Sequence, residues 1–302
     1  MNEKILIGPS SFAALNYTPK QKLIDAGLQV IDNPFKRKLT KEELIKLLPG
    51  VIGVIAGLEP LDREVMEKSD LKVISRCGSG MNNVDEEAAQ DLGIKVYSTP
   101  EAPVTAVAEL TIGVMLSLLR SIPHMNEDLH AGGWTKRIGT QLHGKIVAII
   151  GFGRIGSCVA QLLHPFNVKL IVVDPHIDKT LIRFPVVSLE EALSQADIVT
   201  LHLSGEKEII GQREFELIKD GAYLLNSSRG GVIDEFSLIE SIENGKIAGA
   251  WLDSFNEEPY NGPLNRYSQV ILTPHVGSYT SECRLCMENE AVGNLLSGLK
   301  GE

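Results

Sequence analysis

Cysteine is scarce in this 302-residue chain, which has four in all. Four cysteines are too few for a disulfide-stabilised scaffold, so we expect reduced thiols and a cytoplasmic location. Cys283-x-x-Cys286 has no second cysteine or histidine pair near it. We therefore predict no metal site.

Long hydrophobic runs and excess positive charge are also missing. The closest approach to a membrane span, residues 110–119, is much shorter than the roughly 20 apolar residues that a bilayer requires. Residues 1–20 do not have the order of a signal peptide. The formal net charge is −10, which argues against a nucleic-acid or anionic-membrane surface. We expect no nucleic-acid partner and no membrane partner.

Short apolar runs, by contrast, alternate with helical patterns through almost the whole sequence. This alternation predicts an α/β fold with two Rossmann-like domains, each holding a parallel sheet, and a cleft between them. In the first part, the predicted strands are 4–7, 29–31, 51–56, 72–74 and 95–97. In the second part, a strand starts at 145, and others follow at 168–173, 198–202, 222–226, 248–251 and 270–272. Predicted helices include 40–48, with Thr40 and Glu43 as a capping box, and 85–92, 104–119, 155–163 and 281–299.

A glycine motif follows the first strand of the second sheet. Gly151-x-Gly153-x-x-Gly156 ends an apolar run and opens a helical pattern, as a dinucleotide-binding βαβ unit requires. The next apolar run ends in Asp174, near the distance expected for the acid that binds the adenosine ribose. We predict that the chain binds NAD.

Three polar segments follow later strands of the same sheet, at the edge where open α/β sheets bind ligands. They carry Arg229, Glu258 and His275. Arginine suits a substrate carboxylate, histidine exchanges protons near neutral pH, and a carboxylate can orient that histidine. The set fits oxidation of a 2-hydroxy acid or reduction of a 2-oxo acid.

The chain resembles the D-isomer-specific 2-hydroxyacid dehydrogenase family from about residue 4 to about residue 295. It is most similar to short D-3-phosphoglycerate dehydrogenase-like members that have no regulatory domain. The matching motifs are Gly151-Phe152-Gly153-Arg154-Ile155-Gly156, Asn226-x-x-Arg229-Gly230-x-x-Ile233-Asp234, Asp253-x-Phe255-x-x-Glu258-Pro259 and Thr273-Pro274-His275-x-Gly277.

This resemblance implies a role for each matched residue. Arg229 would bind the substrate carboxylate, His275 would be the acid/base, and Glu258 would pair with it, with Glu257 as the competing carboxylate. Backbone N–H groups of Ser79 and Gly80 would also face the substrate. The implied cofactor-binding residues are Gly151, Gly153, Arg154, Ile155, Gly156, Asp174, His202, Ser227, Asp253 and Gly277.

The resemblance also implies a domain division and an assembly. Residues 1–97 with 279–302 would form the substrate domain, and residues 98–278 would form the NAD-binding Rossmann domain. An apolar helix at 101–122 would cross the interface of a homodimer. A core helix within one subunit is the alternative.

The identity of the substrate stays open between two groups of compounds. Phosphoglycerate-type members carry an arginine after the third strand, whereas residues 56–60 here have none and carry Glu59. Arg76, Lys136 or Arg137 could take its place. The candidate reactions are 3-phosphoglycerate/phosphohydroxypyruvate conversion and hydroxypyruvate or glyoxylate reduction. An NAD-sensing binding protein of the same fold is the alternative from another functional class.

Overall fold

The computed structural model describes residues 3–180 and 182–301. The strands in these residues are β1 Lys4–Ile7, β2 Gln29–Asp32, β3 Val51–Ala56, β4 Val73–Arg76, β5 Lys95–Tyr97, β6 Ile146–Ile150, β7 Lys169–Val173, β8 Ile198–Leu201, β9 Ala222–Asn226, β10 Ile247–Leu252 and β11 Val270–Leu272. The α-helices are α1 Thr18–Asp25, α2 Lys41–Leu47, α3 Arg63–Glu67, α4 Glu86–Asp91, α5 Pro103–Leu119, α6 Ile122–His130, α7 Arg154–Leu163, α8 Leu189–Gln195, α9 Gln212–Leu217, α10 Glu235–Glu243 and α11 Ser281–Lys300.

These elements form two compact units, each around its own parallel sheet. The first unit is Met1–Pro103 with Ser278–Glu302, and the second is Val104–Gly277. The predicted α/β fold class is confirmed, because both sheets are wholly parallel and alternate with helices along the chain.

The first unit has a five-stranded sheet in the order β2-β1-β3-β4-β5. Strand β3 is a nearly unbroken apolar run and is almost completely buried, as is typical of a parallel strand covered on both faces. Helix α2 begins with the predicted capping box, in which Thr40 Oγ1 accepts from Glu43 N and the Glu43 carboxylate accepts from Thr40 N. Helix α11 comes from the far end of the chain and packs on β3, β4 and β5.

The second unit has a six-stranded sheet in the order β11-β10-β9-β8-β6-β7. The chain goes from β6 to β7 on one side and continues with β8 on the other, so the strand order reverses at β6. Ligands of open α/β sheets bind at such a reversal, beyond the carboxyl ends of the strands. Because β9, β10 and β11 are neighbours, the segments that follow them share this edge.

The boundary between the units falls after residues 98–103, which the sequence had assigned to the cofactor domain. Thr99 N donates to Gly78 O, and Asn294 Nδ2 donates to Ser98 O. These bonds tie the segment to the first unit. The roles of the two units as substrate and cofactor domains stay predictions.

The predicted apolar helix at 101–122 is interrupted in the structure. Helix α5 ends at Leu119, Ser121 takes a left-handed conformation with φ of 50°, and α6 follows with Pro123 in its first turn. A proline fits the first turn of a helix but not its interior, so the sequence favours a new start here. Among the described residues, no single helix could cross a membrane by length and composition, although α5 and α6 pass that test as a pair bent by 66°.

Candidate active site

The glycine motif lies where β6 turns into α7. Gly151 has φ of 89°, and a Cβ there would lie 2.5 Å from His202 O. A Cβ on Gly156 would lie 2.1 Å from Gly151 O, so the helix can start this close to the strand only with glycine. Around Gly153, by contrast, no atom lies within 4 Å of the corresponding position. The backbone is therefore open beside the first N–H groups of α7, which have no acceptor within the helix.

Asp174 follows β7 and faces the same turn. Its Oδ2 accepts from Phe152 N at 2.8 Å, and its Oδ1 accepts from His176 N at 2.9 Å. The carboxylate thus lies next to the glycine motif at a partly exposed position. The open backbone, the helix start and this acid fit a dinucleotide with its pyrophosphate at α7 and its ribose at Asp174.

His202 and Ser227 follow β8 and β9, at the same carboxyl edge of the second sheet as the glycine motif. The His202 Nδ1 lies 3.0 Å from Ser227 Oγ, and its Nε2 lies 2.9 Å from Thr200 Oγ1. Desolvation of the ring lowers the pKa of His202 to about 3. The imidazole therefore stays neutral, with both nitrogens held by hydroxyl groups.

The loop after β9 is shaped by the buried side chain of Asn226. Its Oδ1 accepts from Ser228 N and Ser228 Oγ, and its Nδ2 donates to Arg229 O at 2.7 Å. Gly230 lies so close to the loop after β10 that a Cβ would fall 2.1 Å from the backbone carbon of Phe255. This packing explains the Asn-x-x-Arg-Gly spacing.

Arg229 is partly buried in this loop. Its Nη1 donates to Ser228 O at 2.8 Å, and within residues 3–180 and 182–301 its other guanidinium nitrogens donate to no acceptor. It can therefore donate to an added carboxylate.

His275 and Glu258 come together, as the sequence predicted. The His275 Nδ1 lies 3.0 Å and 3.1 Å from the two carboxylate oxygens of Glu258. Glu258 Oε1 also accepts from Phe255 N at 3.1 Å, which fixes the acid. Glu258, rather than the exposed Glu257, makes this contact. The Nε2 of His275 has no bond to the described residues, so it can exchange a proton with a ligand.

Asp253 holds the loop that carries His275. Its Oδ1 accepts from Thr273 Oγ1 and Val276 N, and its Oδ2 accepts from Gly277 N at 2.8 Å. The carboxylate, 3% exposed, thereby holds the Thr273 side chain before His275 and the backbone after it, and His275 itself has φ of 53°. Trp251 Nε1 in turn donates to Thr273 Oγ1. Sequence reasoning missed this network, because nothing in the spacing shows that Asp253 reaches across to β11.

The loop after β4 in the first unit carries the other predicted substrate contacts. Ser79 is exposed and Gly80 is partly exposed, and their N–H groups donate to no acceptor among the described residues. Glu59, in the loop after β3, is 1% exposed and turned inward, where Oε1 accepts from Gly57 N at 2.7 Å. Burial raises the pKa of Glu59, and the charge of Arg76 opposes that shift.

In the described part of the chain, no group of three or more His, Cys, Asp or Glu side chains could hold a metal ion. The four cysteines are unpaired.

The second unit matches a known protein family. Residues 112–277 match the family described as D-isomer specific 2-hydroxyacid dehydrogenase, NAD binding domain. This match covers all six strands of the second sheet, with the glycine motif and the Arg229, Glu258 and His275 loops.

Similar proteins support the match over nearly the whole chain. A D-3-phosphoglycerate dehydrogenase from Methanocaldococcus jannaschii is 38% identical over 87% of this chain and 53% of its own length. A hydroxypyruvate reductase from Thermotoga maritima is 35% identical over 86% of this chain and 89% of its own length. The structure of a glyoxylate reductase from Paecilomyes thermophila is 28% identical, with a TM-score of 0.89 over 100% of this chain and 97% of that one. The chain thus spans about half the length of the first relative and most of the other two.

Proposed function

The chain belongs to the D-isomer-specific 2-hydroxyacid dehydrogenase family, and we propose that it transfers a hydride between NAD(H) and a small D-2-hydroxy acid or its 2-oxo acid. The observation that carries this proposal is the contact of His275 Nδ1 with both carboxylate oxygens of Glu258. Arg229, Glu258 and His275 follow β9, β10 and β11, three successive strands of the sheet in which the glycine motif follows β6.

His275 is the proposed acid/base. Glu258 binds Nδ1, so Nε2 is left to exchange the proton of the reacting oxygen. In reduction of a 2-oxo acid, Nε2–H of the imidazolium gives its proton to the carbonyl oxygen, and the neutral ring remains. In oxidation, Nε2 of the neutral ring takes the hydroxyl proton. The Glu258 carboxylate stabilises the charged ring in both directions.

Arg229 is the proposed receptor for the substrate carboxylate. Its free guanidinium nitrogens supply the planar donors that a carboxylate requires. The N–H groups of Ser79 and Gly80 are proposed to donate to the same carboxylate.

NAD(H), when bound, supplies or accepts the hydride. We assign its pyrophosphate to Gly151, Gly153, Arg154, Ile155 and Gly156, and its adenosine ribose to Asp174. His202, Ser227 and the Gly277 loop would line the nicotinamide end. Asp253 keeps one acceptor position on Oδ2 for the carboxamide, since a carboxylate oxygen accepts about two hydrogen bonds and Oδ2 has one.

Two assignments concern the cell and the assembly. Four unpaired thiols support a reducing, cytoplasmic location.

Exposed apolar side chains after α5 support a homodimer. Between 49% and 102% of the side chain is exposed in Ile122, Leu129, Trp134 and Ile138.

The test follows NADH oxidation by the purified protein with glyoxylate, hydroxypyruvate and phosphohydroxypyruvate. We expect turnover of at least one compound. Arg229→Lys should mainly raise KM rather than lower kcat, because an ammonium cannot give the two-pronged contact with the substrate carboxylate. Tight NADH binding without turnover of any 2-oxo acid would favour the NAD-sensing alternative instead.

A further inference from the structure

Trp251 is a fully buried residue of β10 that the proposed mechanism leaves without a role. Its ring lies in a core cluster with residues of α5, α7 and the neighbouring strands. The indole Nε1 donates to Thr273 Oγ1 at 2.8 Å. A buried indole N–H requires an acceptor, because burial takes away its hydrogen bond with water. Since the acceptor here is the side chain that follows β11, the indole connects the core of the sheet with the loop that carries His275.

Thr273 opens that loop, which we call the His275 loop and define as residues 273–277. Its Oγ1 donates to Asp253 Oδ1 at 2.5 Å, a distance typical of a hydroxyl bound to a carboxylate. A hydroxyl has one proton and two lone pairs, so the same oxygen can also accept from Trp251. The backbone O of Thr273 accepts from His275 N at 2.9 Å. Thr273 is therefore bound to Trp251, Asp253 and His275 at once.

The backbone of His275 has a conformation that needs such support. Its φ of 53° lies in the left-handed region, which residues other than glycine keep only where their surroundings hold them there. Before His275 the chain is held through Thr273, and after it Gly277 N donates to Asp253 Oδ2. A Cβ on Gly277 would lie 3.0 Å from that oxygen and 3.1 Å from a side-chain carbon of α5, so the His275 loop is closely packed.

The bond from Trp251 differs from the other contacts of the His275 loop in what it joins. Asp253 itself lies in a loop, since β10 ends at Leu252. Trp251 lies inside the strand, paired in register with β9 on one side and β11 on the other. The indole therefore fixes the Thr273 hydroxyl relative to the sheet, and the hydroxyl in turn binds the Asp253 carboxylate.

The position of the His275 ring matters for the proposed chemistry. Its Nε2 can exchange a proton with the reacting oxygen only within hydrogen-bond reach. A misplacement of about 1 Å can lower the rate of such a step roughly a hundredfold. The indole, the hydroxyl and the imidazole all belong to the second unit, so the contacts described here set their relative positions.

We propose that Trp251 is a positioning residue for the acid/base step. Its indole N–H, acting through the Thr273 hydroxyl, holds His275 where Nε2 can reach the oxygen of the 2-oxo or 2-hydroxy carbon. This inference rests on the proposed dehydrogenase function. Loss of the N–H should lower kcat without a matching change in KM, because Arg229, the proposed carboxylate receptor, lies in a different loop.

The first arm of the test removes the indole N–H and keeps the shape of the side chain. The chain has two tryptophans, so Trp251 is the single tryptophan of a Trp134→Phe protein. Biosynthetic replacement by benzothienylalanine then puts sulfur in the place of that one N–H. With the 2-oxo acid that is turned over best, kcat per NADH-binding site should fall roughly ten- to a hundredfold, whereas KM for the acid and Kd for NADH should change less than about threefold. The Trp134→Phe protein with ordinary tryptophan is the control.

The second arm tests the route through Thr273 with ordinary variants. Trp251→Phe and Thr273→Val should each lower kcat, and Thr273→Ser, which keeps the hydroxyl, should retain most of it. In the double variant, Trp251→Phe should add little to the loss caused by Thr273→Val, because the hydroxyl through which the indole acts is gone. Tyr267→Phe is the matched control and should keep the wild-type kcat, since it removes an aromatic donor to Glu243 at an exposed contact of the same unit.

The outcomes separate this inference from the function on which it rests. Absence of turnover of every 2-oxo acid by the wild type would refute both. A normal kcat in the benzothienylalanine protein would refute the role of Trp251 alone, and that protein decides the question if Trp251→Phe does not fold. Losses that multiply in the double variant, or KM and Kd values that rise as kcat falls, would also refute it, because a general loss of packing acts on binding and chemistry alike.

Discussion

The proposed pairing of Glu258 with His275 can be tested by comparing variants of Glu258 and of the adjacent Glu257. Glu258 binds the Nδ1 of His275, whereas Glu257 is exposed and does not. Glu258→Gln should lower kcat roughly 10²-fold, near the low end of general acid–base effects. Glu257→Gln is the matched control and should leave kcat unchanged. Similar kcat values in the two variants would disprove the pairing.

We expect the choice between NADH and NADPH to depend on Asp174. Its carboxylate lies beside Phe152 N, where it can accept from a ribose diol and repel a 2′-phosphate. We expect kcat/KM with NADH to exceed that with NADPH at least about tenfold, roughly 1.4 kcal/mol. Asp174→Asn should narrow this ratio, and Asp220→Asn, at a side chain that is 91% exposed, should not. Equal use of both cofactors by the wild type would contradict the assignment.

Because of His202, the free energy of unfolding should depend on pH between about pH 3 and 6.5. Desolvation lowers the folded-state pKa to about 3, while an unfolded histidine titrates near 6.5. The unfolded chain therefore binds more protons between these values. The stabilisation is complete above about pH 6.5 and declines as the pH falls toward 3. Between pH 7 and 5, wild type should lose about 2 kcal/mol more unfolding free energy in urea than His202→Gln. Parallel losses in the two proteins would show that the ring is not held neutral.

The elements were predicted well where one local pattern determines them. The capping box at Thr40 and the strand–glycine–helix unit at β6 depend on neighbouring residues, and both are present. The helix predicted at 104–119 agrees with α5, whereas its extension to 122 crosses the break at Ser121, where a proline starts the next helix.

Contacts between distant segments could not be read from the sequence. Asp253 is bound by the loop after β11, and Arg284 meets Ser11 from the other end of the chain. The functional side chains at the strand ends could be predicted from the sequence, since parallel strands end at the same edge of a sheet. The hydrogen bonds that hold those side chains in place depend on the tertiary fold.

The segment after α5 offers a test of assembly at the level of one element. Trp134 and Ile138 are 80% and 102% exposed, which is costly for apolar side chains unless a partner covers them. Sedimentation should give about twice the chain mass of 32.9 kDa for the wild type. Trp134→Glu with Ile138→Glu should give monomers. Phe236→Glu, at another exposed apolar site in α10, should leave the mass unchanged. A wild-type mass near that of one chain at micromolar concentration would exclude the dimer.

At the scale of the whole molecule, the ligands proposed above are anions, although the net charge of the chain is −10. Long-range attraction cannot bring them to the protein, since the overall field opposes a carboxylate or a pyrophosphate. The donors are local instead: the open start of α7 and the guanidinium of Arg229. The sheet order brings these local donors to one edge of the second unit, together with His275 and Glu258.

Transfer of deuterium tests the central claim most directly. Purified protein is given hydroxypyruvate, or phosphohydroxypyruvate if that is the better substrate, with NADH that carries deuterium at the transferable position of its nicotinamide ring. We predict a D-2-hydroxy acid with deuterium at C2, and formation roughly 10²–10⁴ times slower in His275→Ala. Protein that binds NADH but leaves all deuterium on the cofactor, or that transfers it equally fast without His275, would contradict the account.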